Sequence, residues 1–339
     1  MIFERRIGRD ILRDETPIMQ ECQENCMPIE RIIFLVMDDP STRWIAFLSG
    51  MLDIDGEISR DNWDAVITST GALSPKLAQQ GIRLETKPSL DTYYIAFNMD
   101  DPVVGNNKKL RQAMSCAFNV SQWIEINRGR IEQARGPIPP GIDEYPEKVF
   151  EYGYNLNKAK TLLSEAGYEN GIDPKTKRRL VLTLDLGRTD QETRESAELF
   201  ASFMSTIGIV VNLQYNNWPS FLRKVVRREA QMFMLGWIAD YPDPLNFLQL
   251  FVERNSSPGP NRSNYNNSEY DALFDIAASA STDDKRNDAI NKMINLLYDD
   301  MPWIFLHHRK DNVLLHRSIQ NHRLHDFPYG MEKHWRKRP

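Results

Sequence analysis

Residues 231–247 read QMFMLGWIADYPDPLNF. The stretch opens on an apolar run, Met232-Phe233-Met234-Leu235, which has the length and character of a short buried strand. A Gly236-Trp237 step and then Ala239-Asp240-Tyr241 follow. Pro242 and Pro244 rule out immediate continuation as sheet or helix interior. Beyond them Leu245-Asn246-Phe247-Leu248 begins a new apolar stripe at helical spacing. Asp240 therefore stands where a buried strand ends and a proline-stiffened turn begins, flanked by Trp237 and Tyr241. In open α/β sheets ligands bind at the carboxyl ends of strands. A carboxylate there, between aromatic rings, suits a cation such as an amino group, with the ring faces adding attraction. The same residue also has a purely structural use, since aspartate commonly caps turns.

Working outward, strands at 180–186 (LVLTLDL), 209–215 (IVVNLQY) and 232–237 alternate with helices at 191–207, 219–227 and 245–252. Such alternation predicts right-handed crossovers and a mainly parallel sheet. A polar loop (254–267), two helices (268–280 and 283–298) and two strands (303–307 and 312–316) follow. Upstream, Asn155 is the expected N-cap of a helix ending at Ala166, with Gly167 as its C′ residue. Gly136-Pro137-Ile138-Pro139-Pro140-Gly141 is expected as a stiff surface or cleft-edge loop. Residues 107–118 form an amphipathic helix, with Leu110, Met114 and Phe118 at a spacing of four.

Nearer the N-terminus, 31–37 (RIIFLVM) reads as a buried strand. A helix capped by Ser41-Thr42 and closed by Gly50 comes next. A brief strand at 52–54, a helix at 59–68 and strands at 82–87 and 92–98 follow. This segment has few strands and looks underfilled for a domain of its own. Residues 1–29 and 318–339 are polar and weakly patterned.

The 339 residues carry a net charge of −5, with 41% hydrophobic and 26% charged positions. That composition suits real cores and gives no basic footprint for nucleic acid. The basic end, 333–338, and the pairs Arg223-Lys224 and Arg227-Arg228 read as solvated faces. Three cysteines, Cys22, Cys26 and Cys116, argue against a disulfide scaffold. Cys22 and Cys26 lie in a polar loop, open to a local disulfide but without further metal ligands nearby. All six histidines fall between His307 and His334. His307 and His308 are neighbours on a strand and so point to opposite faces. Neither a metal nor a cofactor is expected, and no phosphate loop, nucleophile elbow or His-Glu-x-x-His appears. No apolar run approaches a membrane span. The opening MIFERRIGRDILRDE has no signal-peptide apolar region. As written, the chain is expected to be cytosolic or a piece of something longer.

Several spaced blocks are similar to one family. They are Tyr93-Tyr94-Ile95-Ala96-Phe97-Asn98, Leu110-Arg111-Gln112-Ala113, the Gly136–Gly141 loop, and Asn157-Lys158-Ala159-Lys160 running on to Leu163-Ser164-Glu165-Ala166-Gly167-Tyr168. The most specific is Gly236-Trp237-Ile238-Ala239-Asp240-Tyr241-Pro242-Asp243-Pro244, followed by Asn264-Tyr265 and Tyr270-Asp271. In order and spacing they resemble the peptide-binding proteins of bacterial ABC importers, the extracellular solute-binding proteins of family 5. The resemblance runs from about residue 30 to 317.

The resemblance implies an α/β, periplasmic-binding-protein-like fold of the class II type and a two-lobed, non-catalytic binder. Residues 1–98 with 310–339 would be a partial first lobe, and 99–309 a nearly complete second lobe, hinged near Asn98 and Lys310. Peptides or other amine-bearing solutes would be the ligands and the importer's permease subunits the protein partners, with the membrane met only through the permease. The compartment would be periplasmic or extracellular. In peptide-binding members the aspartate matching Asp240 pairs with the ligand's α-amino group, and the tryptophan matching Trp237 lines the same cleft. Tyr241 walls that site, and Tyr94 and Asn98, from the first block, complete the expected ligand-binding set. Family members carry a long N-terminal portion that supplies much of one lobe, and most of it is expected to be absent from this chain. The remnant is therefore expected to expose apolar surface. No arginine in the 232–237 strand stands ready for a ligand carboxylate. Two other classes compete: a hydrolase using Asp240 and Asp243, though no acid–base partner is evident, and an intracellular ligand-sensing regulatory domain.

Overall fold

The computed structural model describes residues 2–4, 27–37, 39–146, 151–325 and 331–338. Cys22 and Cys26 lie outside them, as does most of the polar N-terminal segment. In chain order the strands are β1 (Ile2–Glu4), β2 (Met27–Pro28), β3 (Arg31–Ile33), β4 (Ile54–Asp55), β5 (Ile82–Pro88), β6 (Asp91–Phe97), β7 (Ile131–Gln133), β8 (Val181–Leu186), β9 (Val210–Tyr215), β10 (Met232–Ile238), β11 (Trp303–His316), β12 (Ile319–Gln320) and β13 (Arg336–Lys337). The α-helices are α1 (Pro40–Leu48), α2 (Arg60–Val66), α3 (Pro75–Gln79), α4 (Lys108–Ala117), α5 (Val120–Ile126), α6 (Leu156–Glu165), α7 (Gln191–Ser205), α8 (Trp218–Val226), α9 (Pro244–Leu248), α10 (Ser268–Ser279) and α11 (Asp283–Asp300).

The chain divides into two compact units. One comprises Met1–Ser89, Asn127–Arg130 and Lys310–Pro339, the other Leu90–Ile126 and Ile131–Arg309. β6 thus belongs wholly to the second unit, although the sequence reading ends the first segment at Asn98. The expected pair of strands at 303–307 and 312–316 is one continuous strand, β11.

The second unit is built on a mixed sheet in the order β7-β11-β6-β10-β8-β9. β11 pairs antiparallel with β7 and β6, and β6 pairs antiparallel with β10. Only β10–β8 and β8–β9 are parallel. The expectation of a mainly parallel sheet therefore fails. Strands that are distant in sequence, β6 and β11, insert antiparallel beside the consecutive β/α repeats. Both faces are covered, which is why the central strands read as continuous apolar runs. On one face Tyr94, Ala96, Phe233, Trp303 and Phe305 pack under α8 to α11. On the other Ile95, Phe97, Leu182, Leu184 and Leu186 pack under α4, α6 and α7. The loop at 136–141 feeds the first of these cores. Ile138 is fully buried there and Gly136, Pro137 and Pro139 are buried too, so it is an interior segment and not a surface rim.

Local signals set the helix ends. Asn155 Oδ1 accepts from the Lys158 amide at 3.0 Å, and Gly167 takes a φ of +90°. Asn107 caps α4 in the same way, at 3.1 Å from the Leu110 amide. α1 starts two residues earlier than expected: Asp39 is the cap, accepting from the Thr42 amide at 2.7 Å, and Pro40 occupies the first turn, where its missing N–H costs nothing. Lys224 is also not merely solvated. Its ammonium reaches the buried carboxylate of Asp185 at 2.5 Å, and the Asn216 amide donates to the same oxygen at 2.9 Å.

The first unit carries a short antiparallel sheet in which β11 lies between β4 and β5. Phe47, Trp63, Val66 and Leu314 form its main core. β12, β13 and β2 make a second small sheet, so the basic end is folded into the unit, and Lys337 pairs with Asp53 at 2.9 Å. The run 31–37 departs most from expectation. Only β3 is strand there, pairing with β1, and Ile33, Phe34, Leu35 and Val36 are exposed.

Candidate functional site

β10 ends at Ile238, and the next amide, Ala239, still donates to the carbonyl of Leu90 at 2.8 Å, which extends the edge of the sheet by one rung. The chain then turns through Asp240, Tyr241 and Pro242 into α9. Asp243 caps that helix, accepting from the Leu245 amide at 2.8 Å. The Arg286 guanidinium on α11 clamps the same carboxylate at 2.8 and 2.7 Å. The turn is thus pinned at both ends, by the sheet and by a charge-assisted pair. Asp243 is committed to this structural work, so the Asp240/Asp243 pairing proposed for hydrolysis lacks its second member.

One residue that the sequence reading missed ties the turn together. Asn246, on α9, is fully buried. Its Oδ1 accepts from the Trp237 indole N–H at 2.9 Å and from the Asp240 amide at 3.2 Å. Its Nδ2 donates to Asp240 Oδ2 at 3.4 Å. Two donors converging on one oxygen fix the amide's orientation. In the sequence Asn246 is hidden inside an apolar stripe. A polar residue at a core position of such a stripe is the signal that could have found it, because buried amides need partners.

Trp237 is half-buried against the core beneath α9, and Asp240 and Tyr241 are exposed. Among the described residues no lysine, arginine or histidine lies within salt-bridge range of the Asp240 carboxylate. The site therefore offers an anionic group, an aromatic wall and open access at the end of a sheet strand.

The other two expected site residues lie elsewhere. Tyr94 is buried and stacked on Trp303, ring centroids 3.4 Å apart, and burial pushes its phenol well above the ordinary range. Asn98 is also buried. Its amide donates to the Arg228 carbonyl at 2.9 Å, and its oxygen accepts from the Asp100 amide at 3.1 Å. Both side chains are buried and engaged with the scaffold. It is Tyr93, one residue along, that is half-buried, with its ring over Gly236.

The histidines are spent separately. His307 accepts from the Trp123 indole at 3.1 Å, His308 bonds the Asp91 carbonyl at 2.7 Å, and His322 bonds Glu85 at 2.7 Å. Among the described residues no group of three or more His, Cys, Asp or Glu is placed to hold a metal ion. No helix among them is long and apolar enough to cross a membrane.

Known proteins give this arrangement its context. The chain is 26% identical over 282 residues to heme-binding protein A of Haemophilus influenzae, an alignment covering 83% of the chain and 49% of that protein. It is 27% identical over 237 residues to the dipeptide-binding protein of Escherichia coli, covering 68% of the chain and 42% of that protein. The chain spans less than half the length of these curated relatives. In fold it matches the ABC transporter-associated periplasmic binding protein DppA from Helicobacter pylori, solved in complex with the peptide STSA. The TM-score is 0.77 at 22% identity, over 91% of the chain and 57% of that structure. The model of the bacterial extracellular solute-binding proteins, family 5 (middle region), matches residues 27–259, which include the β10 strand and the whole turn that follows it. The chain belongs to the bacterial extracellular solute-binding proteins of family 5.

Proposed function

We propose that this chain acts as the solute-binding component of an ABC importer, capturing peptides or other amine-bearing solutes without turning them over. It hands them to a membrane permease from the periplasmic or extracellular side. One observation carries the ligand class. The Asp240 carboxylate stands exposed beside Trp237, held by Asn246, with no cation within salt-bridge range among the described residues. An ammonium group would complete it, and the indole would supply apolar and cation–π contact. The relatives support the same class, a dipeptide for the E. coli protein and the peptide STSA for the H. pylori structure. The commitment of Asp243 to Arg286 and to the α9 cap removes the support for the hydrolase alternative.

Calorimetry with a mixture of short peptides, each with a free or an acetylated N-terminus, tests the proposal. The free-amine peptides should bind more tightly. Asp240→Asn should weaken them by about 2 kcal/mol, the low end for a charge pair that the bound solute must itself shield from water, since the free carboxylate is exposed. Equal affinity for free and acetylated peptides, or an Asp240→Asn variant that binds like the wild type, would refute amine recognition at this residue.

A further inference from the structure

Asn246 is fully buried, yet among the described residues every hydrogen bond of its side-chain amide goes to Trp237 or Asp240, the two residues proposed to meet the solute. A side-chain amide used only to cap α9 would bond that helix's own backbone, as the Asp243 carboxylate at its N-terminus does through the Leu245 amide. Asn246 instead reaches back across the turn. One oxygen receives the indole N–H and the Asp240 backbone N–H together, which fixes the distance between ring and carboxylate. The amide nitrogen holds one carboxylate oxygen, Oδ2, so that Oδ1 is left for a ligand. Without Asn246 the indole N–H would lack its acceptor in a half-buried position. The Asp240 side chain would also be free to rotate into water and would have to be ordered again at each binding event.

We infer that Asn246 is a positioning residue for amine recognition: it sets the geometry of Trp237 and Asp240 without touching the solute. The inference rests on the proposed amine-binding role of Asp240.

The test compares wild type and Asn246→Ala in binding a short peptide with a free N-terminus and the same peptide N-acetylated. The expected result is that the preference for the free amine falls about tenfold, while affinity for the acetylated peptide changes less than about twofold. A merely structural role would weaken both peptides alike and leave the ratio intact, and that outcome overturns the inference. If the wild type shows no preference for the free amine, Asp240 recognition itself fails and the inference falls with it. A clear wild-type preference that Asn246→Ala leaves untouched sinks the inference alone. A second measurement needs neither peptide nor variant. Hydrogen exchange of the wild-type Trp237 indole N–H and Asp240 amide should be slowed well beyond that of exposed groups, and fast exchange at both would show that Asn246 holds neither.

Discussion

The ring of Tyr93 lies across Gly236. A Cβ built on that glycine would stand 2.7 Å from the tyrosine Cε1 and 2.9 Å from Cζ. The two residues face each other in register between β6 and β10. The same ring stacks on His307 at 4.8 Å, and the Arg309 guanidinium sits 5.0 Å from its centre. Glycine inside a strand often marks such a close approach. The Gly-Trp step therefore has a physical cause: the glycine makes room for an aromatic on one face, while Trp237 packs on the other. Gly236→Ala should destabilise the chain by about 1–3 kcal/mol, the usual range for overpacking, measured by urea denaturation. Adding Tyr93→Ala should recover part of that loss. An alanine variant as stable as the wild type would show that the ring yields freely.

What was legible in the sequence follows from how far apart the interacting residues lie. Asn155 and Gly167 announce a helix because each acts within a few residues of itself. β8, β9 and β10 announce strands because their apolar runs are short and bounded by turns. The antiparallel placement of β6 and β11 was not legible, since Trp303 meets Ala96 across the length of the unit and no local pattern encodes that pairing. That Tyr93 and not Tyr94 is the half-buried one was hidden for a related reason. β6 is covered on both faces, so alternation does not say which tyrosine is left half-open. Asn246 was hidden because three apolar neighbours made it look like one more position in a stripe.

The Leu110-Arg111-Gln112-Ala113 block turns out to be scaffold. Arg111 is buried, and its guanidinium donates to the carbonyls of Asp300 at 2.7 Å, Val104 at 2.8 Å and Gly105 at 2.7 Å. Gln112 donates to the Asp299 carbonyl at 2.7 Å. Together they cap the end of α11, whose last carbonyls would otherwise be orphaned. Burial lowers the Arg111 guanidinium to about 10, still charged at neutral pH. Lysine cannot reproduce the planar fork. Arg111→Lys should therefore cost about 3 kcal/mol or more, from several charge-assisted bonds lost together, read from the urea midpoint. Peptide selectivity should stay intact in whatever fraction remains folded. A loss below about 1 kcal/mol would mean that water replaces the fork.

Acid should destabilise the second unit through His308. Burial lowers its imidazole to about 4, against opposing contributions from the Asp91 carbonyl and Glu132, and its Nε2 has no hydrogen-bond partner among the described residues. The folded chain then refuses a proton that the unfolded chain accepts near pH 6.5. This contribution to stability is fully present above about pH 6.5 and declines as pH falls toward 4, then levels off. The full span is about 3 kcal/mol. Unfolding free energies at pH 7, 6 and 5 should fall more steeply for the wild type than for His308→Gln. Parallel slopes for the two would place a proton acceptor elsewhere.

The first unit presents apolar surface where a folded domain normally hides it. α1 buries Ala46 and Phe47 on one side, yet Ile45 and Leu48 are 65% and 43% exposed, and Met51 just beyond is 70% exposed. Ile45 and Leu48 are three residues apart and so share one helix face. Ile33, Leu35 and Val36 are 53%, 52% and 89% exposed on the neighbouring segment of chain. Single exposed apolar residues are ordinary, but a helix apolar on both sides with only one side covered is an association surface. At concentrations of about 10–100 μM the chain should self-associate, seen as a weight-average mass that rises with concentration in light scattering. Ile45→Lys with Leu48→Glu should hold the mass at that of a monomer. The effect on stability should be small, within about 0.5 kcal/mol, because neither side chain leaves a packed core. A wild type that stays monomeric across that range would show that these side chains present no adhesive surface in solution.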